Sequence, residues 1–249
     1  MASGVSSASD ASEFSSAYTK LRSLLLANQF SPNEHLQVNY LAEHLAVGVT
    51  PTREALIRLS VEGLITVHAK RGFFAKVLTV SELCQLYHLA LSLLKYNVQG
   101  NGGRRGVKIA GSEIAAALSG TQGDRAAALA LGIEQLHEQI AVMNGNAQMA
   151  RVIQNYNCRT HAVRLVYAAQ VENAESMLAY IRAMTTLLEF GDREASLAEL
   201  KRNFDAKIAH APDLVKEISA QACSADWTSH PFPSASPARR HNGVSAGAG

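Results

Sequence analysis

Hydrophobic residues recur at helical spacing along most of the chain, and one stretch places two short helices on either side of a tight turn. In residues 41–64 (LAEHLAVGVTPTREALIRLSVEGL) the turn is Ala46-Val47-Gly48. The second helix begins at Thr50-Pro51 and ends near Gly63. This spacing predicts a helix-turn-helix, a motif whose second helix can lie in the major groove of DNA.

Two short runs rich in β-branched and aromatic residues follow the second helix. They cover residues 64–68 and 73–78 and flank Lys70-Arg71-Gly72. Two such runs around a glycine-containing turn predict a β-hairpin, here with a basic tip. A helix is also predicted over residues 14–27. Three helices and a hairpin together predict a winged helix over residues 14–78.

Helical periodicity dominates the chain from Thr79 to about residue 222. Thr79, with Glu82 three residues later, is typical of a capping box at the start of a helix. Glycine-containing breaks separate the predicted helices, which cover residues 80–98, 109–119, 123–143, 146–170, 174–190 and 192–210, with a short one at 212–222. Such short links predict an antiparallel bundle of about six helices over residues 79–222. The predicted fold class is therefore mainly α.

The two ends of the chain have a different composition. Residues 1–13 are small and polar, and residues 223–249 are rich in serine, proline, alanine, glycine and histidine. Such segments bury too little apolar surface to fold, so we expect both to be disordered. The first residues also lack the basic start and apolar centre of a secretory signal.

Positive charge is concentrated in the segment that carries the motif. The whole chain has a net charge of +2, whereas residues 14–78 hold seven basic and four acidic residues. A modest positive bias at this place fits contact with nucleic-acid phosphates.

The three cysteines, Cys84, Cys158 and Cys223, are odd in number and widely spaced. They fit neither a disulfide framework nor a zinc pattern, which favours a reducing cytoplasm as the location. No run of 18 apolar residues is present, so no membrane association is expected.

The second helix of the motif has one apolar face and one polar face. Helical spacing puts on the inner face Thr52, Ala55, Leu56 and Leu59. Thr50 as N-cap and Pro51 as first helical residue leave free backbone N–H groups for a phosphate. Arg53, one turn further, can donate two hydrogen bonds to a guanine edge. The alternative for Arg53 is an ion pair with Glu54 or Glu62.

Three further cations complete the predicted DNA-binding set. Arg58 is expected to contact a phosphate or to form an ion pair. Lys70 and Arg71 at the hairpin tip are expected to contact the DNA backbone or the minor groove, although two exposed cations also serve solubility. The full predicted set is Thr50, Pro51, Thr52, Arg53, Arg58, Lys70, Arg71 and Gly72.

These residues resemble the winged-helix domain of the GntR family of bacterial transcription regulators. The resemblance covers residues 18–78 and is carried by Thr50-Pro51-x-Arg53-Glu54-Ala55-Leu56, Glu62-Gly63-Leu64 and Arg71-Gly72. It implies a homodimer that binds a palindromic operator in double-stranded DNA. One departure is plain, because the family usually has Ser-Arg before Thr-Pro and this chain has Gly48-Val49. The lost arginine removes a common DNA contact, so the operator or the affinity is expected to differ.

The helical remainder resembles the ligand-binding domain of the FadR-like subfamily, through Leu136-His137, Gly145-Asn146 and Gly191-Asp192. Many such domains hold a divalent ion with an Asp-x-x-x-His pair and two further histidines. The matching positions here are Ile133, His137, Ile181 and Asn203. A metal normally takes at least three protein ligands, so we expect no metal or other cofactor. His137 is then either a polar group facing a cavity or a satisfied core histidine.

The same resemblance marks the residues that would line an effector cavity. The positions where the family often has an arginine and a glutamate hold Tyr87 and Leu91. Such an apolar cavity argues against a metal-held dicarboxylate and permits a more hydrophobic effector, or none. Arg159 and Arg182 are alternative partners for a carboxylate, although arginines mostly lie at the surface. The predicted effector set is Tyr87, Leu91, Ile133, His137, Ile181 and Asn203.

The leading interpretation is a transcription regulator whose affinity for DNA responds to a small-molecule effector. An enzyme is disfavoured, since the sequence has no nucleophile–base pair, glycine-rich phosphate loop or metal-ligand set. The altered turn and the weak net charge keep a third interpretation open, in which the winged helix contacts proteins. A regulator without effector sensing is the remaining alternative.

Overall fold

The computed structural model describes residues 4–100, 122–223 and Thr228. Within this part the chain is mainly helical, with nine helices and one two-stranded sheet, which confirms the predicted fold class. The predicted helix over residues 109–119 lies outside the described residues, as does the predicted tail beyond Cys223 apart from Thr228. No described helix combines the length and the apolar character that a membrane span requires.

The first part of the chain folds as a winged helix. Three helices, α1 (Gly4–Leu26), α2 (Val38–His44) and α3 (Val49–Val61), precede a hairpin of β1 (Ile65–His68) and β2 (Gly72–Ala75). The two strands are antiparallel. Helices α2 and α3 are the predicted helix-turn-helix, and the hairpin is the predicted wing.

The other described helices form the bundle. They are α4 (Val80–Gly100), α5 (Gln122–Val142), α6 (Ala147–Ala169), α7 (Val171–Phe190), α8 (Arg193–Ala209) and α9 (Ala211–Cys223). Local signals set several of their limits. The Thr79 hydroxyl accepts a hydrogen bond from the Glu82 N–H at 3.2 Å and so caps α4. Gly191, with a φ of 74°, ends α7, and the Asp192 side chain caps α8 by accepting from the Ala195 N–H at 3.0 Å.

Helix α1 begins at Gly4, well before the predicted start at Phe14. The expectation of disorder over residues 1–13 is thereby corrected for residues 4–13. The segment holds serine, alanine and acidic residues that tolerate a helix, and neither glycine nor proline interrupts it after Gly4. The helix therefore extends backward from the part of α1 that is packed in the core.

Two hydrophobic cores organise the molecule. The first joins α1, α2, α3 and the hairpin, and Leu21 of α1 and Leu56 and Leu59 of α3 are completely buried in it. The second lies inside the bundle, with Leu136 and Phe204 completely buried. Because leucines hold the inner face of α3, the opposite face of that helix is directed away from the core.

The turn between α2 and α3 contains a residue in an unfavourable conformation. Ala46 has a φ of 50°, in the left-handed region. The Cβ of an L-residue crowds the following carbonyl oxygen there, at a cost of roughly 1–2 kcal/mol. Glycine adopts the same conformation without that cost.

We expect the substitution Ala46→Gly to raise the free energy of unfolding by up to about 1 kcal/mol, because relief of the left-handed strain outweighs the added freedom of the unfolded chain. Urea unfolding followed by circular dichroism measures the change. Ala69→Gly, in the exposed wing turn but without a positive φ, is the matched control and should lose stability. Equal losses in the two variants would contradict the strain at Ala46.

Candidate nucleic-acid interface and effector site

The outer face of α3 is exposed, as helical spacing predicts. Thr50, Arg53 and Ile57 lie at the surface. The four residues of the predicted inner face, Thr52, Ala55, Leu56 and Leu59, are all buried. No ion pair in the described part of the chain involves Arg53, and the alternative pairing with Glu62 is not formed because that carboxylate binds Arg58.

The start of α3 differs in detail from the prediction. Gly48 is the N-cap, so Thr50 and Pro51 lie within the first turn rather than at its boundary. The first helical hydrogen bond is donated by the Thr52 N–H to the Gly48 carbonyl. The N–H groups of Val49 and Thr50 precede that bond and are among those that the helix itself leaves free. Pro51 has no N–H to lose at this place.

Thr52 is a correction to the predicted DNA-binding set. Its side chain is buried, and its hydroxyl donates to the Gly48 carbonyl at 2.7 Å. The reason is the helical period, since Thr52 shares the inner face with Ala55 and Leu59. Thr52 therefore ties the N-terminus of α3 to the turn and offers no group to a ligand outside.

Arg58 is held against α1 at the far end of α3. Its guanidinium lies 4.4 Å from the centre of the Tyr18 ring, and its Nε donates to Glu62 Oε1 at 3.1 Å. The Tyr18 hydroxyl donates to the same carboxylate at 2.8 Å. Of the two roles expected for Arg58, the structure shows the ion pair, with the side chain still 55% exposed.

The wing presents its two cations at an exposed tip. Lys70 and Arg71 are exposed between the strands, and the Arg71 guanidinium lies 5.4 Å from the centre of the Phe74 ring. Gly72 has a φ of 97°, and a Cβ at this position would lie 3.1 Å from His35 Nε2. Glycine is therefore required at this position by backbone geometry, which explains its presence without any contact to a ligand.

The predicted effector residues fall into two groups. Tyr87, Ile133, His137 and Ile181 belong to the bundle core, with exposures of 3% or less, while Leu91 and Asn203 are half-buried. The rings of Tyr87 and His137 share Phe204 as a neighbour, at centroid distances of 6.1 and 5.7 Å. The alternative carboxylate partners lie elsewhere, since Arg182 is exposed and Arg159 is bound to Glu82.

His137 is a buried core residue whose Nε2 lies 3.4 Å from the Tyr180 hydroxyl. Burial lowers the pKa of His137 well below its ordinary value, and the neighbouring charges of Lys207 and Arg164 lower it further. The imidazole is therefore neutral at physiological pH. Among the described residues its Nδ1 makes no hydrogen bond of good geometry, although the nearby Asn157 side chain acts to raise the pKa of His137.

Two cations that the sequence pattern does not predict are buried beside His137. Arg164, 4% exposed, donates to Glu134 Oε1 at 2.6 Å and to the Thr160 hydroxyl at 2.7 Å. Lys207 is 6% exposed, and its Nζ has no hydrogen-bond partner in the described part of the chain. The helical spacing of Lys207, one turn after Asn203, was the available signal, because residues four apart share a face.

The environment of Lys207 is aromatic rather than acidic. Its Nζ lies 5.1 Å from the centre of the Phe204 ring and 5.6 Å from that of Tyr180. Burial lowers the pKa of Lys207 from 10.5 to about 7, and the nearby charge of Arg164 acts in the same direction. Ring faces stabilise the ammonium only in part.

The residues at the positions matching the FadR-like metal site do not fit a divalent ion. Ile133 and Ile181 offer no donor atom, and His137 alone cannot complete a ligand set. The Lys207 ammonium, whose charge acts on His137, would repel a cation. No group of three or more metal-ligating side chains occurs among the described residues.

Helix α6 connects the winged helix to the bundle. Asn155 Nδ2 donates to the Glu62 carbonyl, at the end of α3, at 2.7 Å. Arg22 Nη2 of α1 donates to Cys158 Sγ at 2.7 Å. A cleft of about 790 Å³ adjoins these contacts and is lined by residues of α1, α3, α5 and α6. The other side of α6 carries Arg164 into the bundle core.

The first part of the chain has recognisable relatives. Residues 14–75 match the family model for bacterial regulatory proteins of the gntR family. The Nta operon transcriptional regulator of Aminobacter aminovorans is 44% identical over 66 residues, which are 26% of this chain and 31% of that protein. This chain therefore matches about a third of the length of that relative.

Similarity over most of the chain is more distant. The uncharacterized HTH-type transcriptional regulator YdhC of Bacillus subtilis (strain 168) is 20% identical over 207 residues, 80% of this chain and 91% of that protein. The GntR structure from Rhodococcus sp. RHA1 has a TM-score of 0.66 at 18% identity and covers 81% of this chain and 98% of that chain. McbR/YncC of E. coli has a TM-score of 0.53 at 18% identity, with 81% and 97% covered. Both structures share the fold.

The fold is that of a winged helix followed by a helical bundle. Residues 14–75 are similar to the DNA-binding part of the GntR family of bacterial regulatory proteins. The relatives described above are named transcriptional regulators, which also argues against an enzyme.

The buried lysine makes the stability depend on pH. Because the pKa of Lys207 is about 7 in the folded chain and 10.5 ordinarily, the unfolded state binds more protons between these values. We therefore expect Lys207 to make the free energy of unfolding rise with pH above 7, by at most about 1.4 kcal/mol per pH unit. Urea unfolding at pH 7, 8 and 9 measures this slope, which should be smaller in Lys207→Met.

The control for that experiment is Lys201→Met on the same helix. Lys201 is 64% exposed and pairs with Asp205, so its loss should leave the slope unchanged. If the slopes of Lys207→Met and the wild type coincide, Lys207 does not titrate in this range.

Proposed function

We propose that this protein is a transcription regulator of the GntR family that binds a specific sequence of double-stranded DNA, with the N-terminal half of α3 in the major groove. The observation that supports this most directly is the exposed Arg53, which has no ion-pair partner in the described part of the chain. It lies one turn from the start of α3, where base contacts of this motif concentrate. Lys70 and Arg71 at the wing tip supply backbone or minor-groove contacts.

We infer further that the chain acts as a FadR-like homodimer on a palindromic operator. A two-fold axis would present two copies of α3 to half-sites about one helical turn apart. The bundle supports this assembly with large apolar side chains that are more than half exposed, among them Tyr96, Val142, Val171 and Phe190. Burial of such residues between copies removes apolar surface from water.

The proposed effector site is the centre of the bundle, and no metal takes part in it. Helix α6 supports the coupling of that site to DNA binding, because Arg164 faces the bundle core while Asn155 binds the carbonyl of Glu62, the residue that follows α3. A ligand that shifts α6 would therefore shift the support of α3. Coupling free energies of this kind are typically about 1–3 kcal/mol.

A second function is favoured by the apolar residues on the outside of α3. Val49, Ile57 and Val61 are exposed by 51%, 49% and 83%, which also suits contact with another protein. The winged helix would then serve as a protein-interaction module. Weak binding to DNA at low salt, without sequence preference, would favour this second function.

The principal test uses DNA fragments selected by the protein from random duplexes. We expect Arg53→Ala to weaken binding to the selected fragment by roughly 5- to 150-fold, since a bidentate guanine contact is worth about 1–3 kcal/mol. Fluorescence anisotropy at fixed salt measures the affinity. Arg182→Ala, which removes an exposed arginine from α7, is the matched control and should bind as the wild type does.

Selection from random duplexes also tests the symmetry of the site. A palindromic consensus and a dimer in sedimentation analysis are the expected results. Wild-type affinity in Arg53→Ala would contradict the role given to that side chain.

The wing is tested separately. We expect the double substitution Lys70→Ala and Arg71→Ala to weaken binding to all fragments alike and to reduce the salt dependence of binding, because these cations contact phosphates. Affinity measured between about 50 and 200 mM salt gives the slope. A changed consensus with an unchanged slope would assign the tip to base recognition instead.

A further inference from the structure

We propose that Lys207 is the cationic anchor of a buried site for a small monocarboxylate with an apolar or aromatic body. The site lies in the bundle core, among α4, α5, α6, α7 and α8. The inference deepens the proposed function by naming the class of effector, and it rests on that function only for its consequence on DNA binding.

The Lys207 ammonium is buried without a partner, which costs free energy of folding. Lys207 is 6% exposed, and no described side chain or backbone group hydrogen bonds to its Nζ. Burying a charge without a partner is strongly unfavourable, and an apolar residue of similar size would stabilise a bundle better. The Tyr180 and Phe204 rings at 5.6 and 5.1 Å offset only part of this cost.

Glu134 and Glu199 already pair with other cations. Glu134 accepts from Arg164 at 2.6 Å and from His161 Nδ1 at 2.6 Å. Glu199 pairs with Arg202. It also precedes Lys207 by eight residues on α8, or about 12 Å along the helix axis.

The charges around Lys207 do not balance. When Lys207 is protonated, the charges at this place are Arg164 and Lys207 on one side and Glu134, which pairs with Arg164, on the other, while His137 is neutral. One positive charge is left over, and one carboxylate would balance it. His137 adds a polar contact, because its Nδ1 makes no hydrogen bond of good geometry among the described residues and its ring lies against Phe204, as Lys207 does.

The surroundings of Lys207 also indicate the chemistry of the rest of the ligand. Lys207 lies against the Phe204 and Tyr180 rings, and Tyr87, Ile133 and Ile181 belong to the same hydrophobic core as Phe204. These side chains have no charge to offer a second carboxylate, which excludes a dicarboxylate on desolvation cost. A hydrocarbon or aromatic body suits them. The apolar surroundings expected from the sequence thus contain one charged group, the Lys207 ammonium.

The site also has a direction of approach. Asn203 lies one turn before Lys207 on the same face of α8, and it is half-buried. Its Oδ1 is buried and has no hydrogen-bond partner in the described part of the chain. Lys207 itself is enclosed, so ligand entry requires side chains between Asn203 and Lys207 to move. Tyr156 and Arg164 would transmit that movement to α6.

The experiment uses the full chain and defined probes. Isothermal titration calorimetry is carried out with benzoate and hexanoate as monocarboxylates, benzamide as a neutral analogue and succinate as a dianion. We expect both monocarboxylates to bind at least tenfold more tightly than benzamide and succinate. Failure of both monocarboxylates to bind at 10 mM overturns the proposal.

The variants separate binding from folding. Lys207→Met should lose at least tenfold in benzoate affinity while melting at or above the wild-type temperature, because an unpaired charge is removed from the core. Lys207→Arg keeps the cation and should retain measurable binding. Lys201→Met, on the exposed side of the same helix, is the control and should bind benzoate as the wild type does. Wild-type affinity in Lys207→Met overturns the assignment.

A further readout is one that a purely structural lysine would not give. Bound carboxylate favours the charged ammonium, so benzoate binding at pH 8 should take up protons, measured by titration in buffers of different ionisation enthalpy. The uptake should vanish in Lys207→Met. The other titratable groups at this place are Glu134 and His137 on α5, Arg164 and Tyr156 on α6, Tyr180 on α7 and Tyr87 on α4. Uptake that persists in Lys207→Met would assign the proton to one of them and overturn the role of Lys207.

Measuring the affinity for the selected DNA fragment with and without benzoate separates failure of the ligand site from failure of the proposed function. Lysine-dependent benzoate binding that leaves the affinity for the selected DNA fragment unchanged would uphold the site and refute effector control. A DNA affinity that changes with benzoate in both wild type and Lys207→Met would uphold control and refute the site. No benzoate binding with intact DNA binding would refute the site alone.

Discussion

The packing of the inner face of α3 is the interaction on which the rest of the structure depends. Leu56 and Leu59 fix the inner face of α3 in the first core, and Asn155 of α6 binds the carbonyl of Glu62 just after its last turn. One helix is thus held by its own small domain and by the bundle. A displacement of α6 would therefore displace the C-terminal end of α3. The N-terminal turn of α3 is exposed and stays available for contact with a ligand.

Helix α6 gains this position because its two sides serve different environments. Asn155 and Cys158 face the winged helix, whereas Arg164 faces the bundle core. The helix is rigid over its length, since each residue is bonded to the next turn. The polar contacts on both sides of α6 require particular directions and distances, which purely apolar packing does not. They therefore fix the position of one hydrophobic core relative to the other.

Buried charge in the bundle departs from what stability alone would favour. Arg164 is matched by Glu134, and burial of that pair is offset by the hydrogen bonds from His161 and Arg164, which keep the pKa of Glu134 below its usual value although burial alone would raise it. Lys207 has no such match. A sequence selected only for packing would place an apolar residue there.

The helix-turn-helix, the wing and most helix ends were predictable from the sequence by itself, because caps, turns and helical spacing act over three to seven residues. The exposed face of α3 followed from the same spacing, which put Arg53 outside and Leu59 inside. The tertiary structure alone decided that Arg58 lies against Tyr18 and that Lys207 is buried beside His137. Those outcomes depend on side chains brought together from distant parts of the chain, and burial and charge pairing are properties of that assembly.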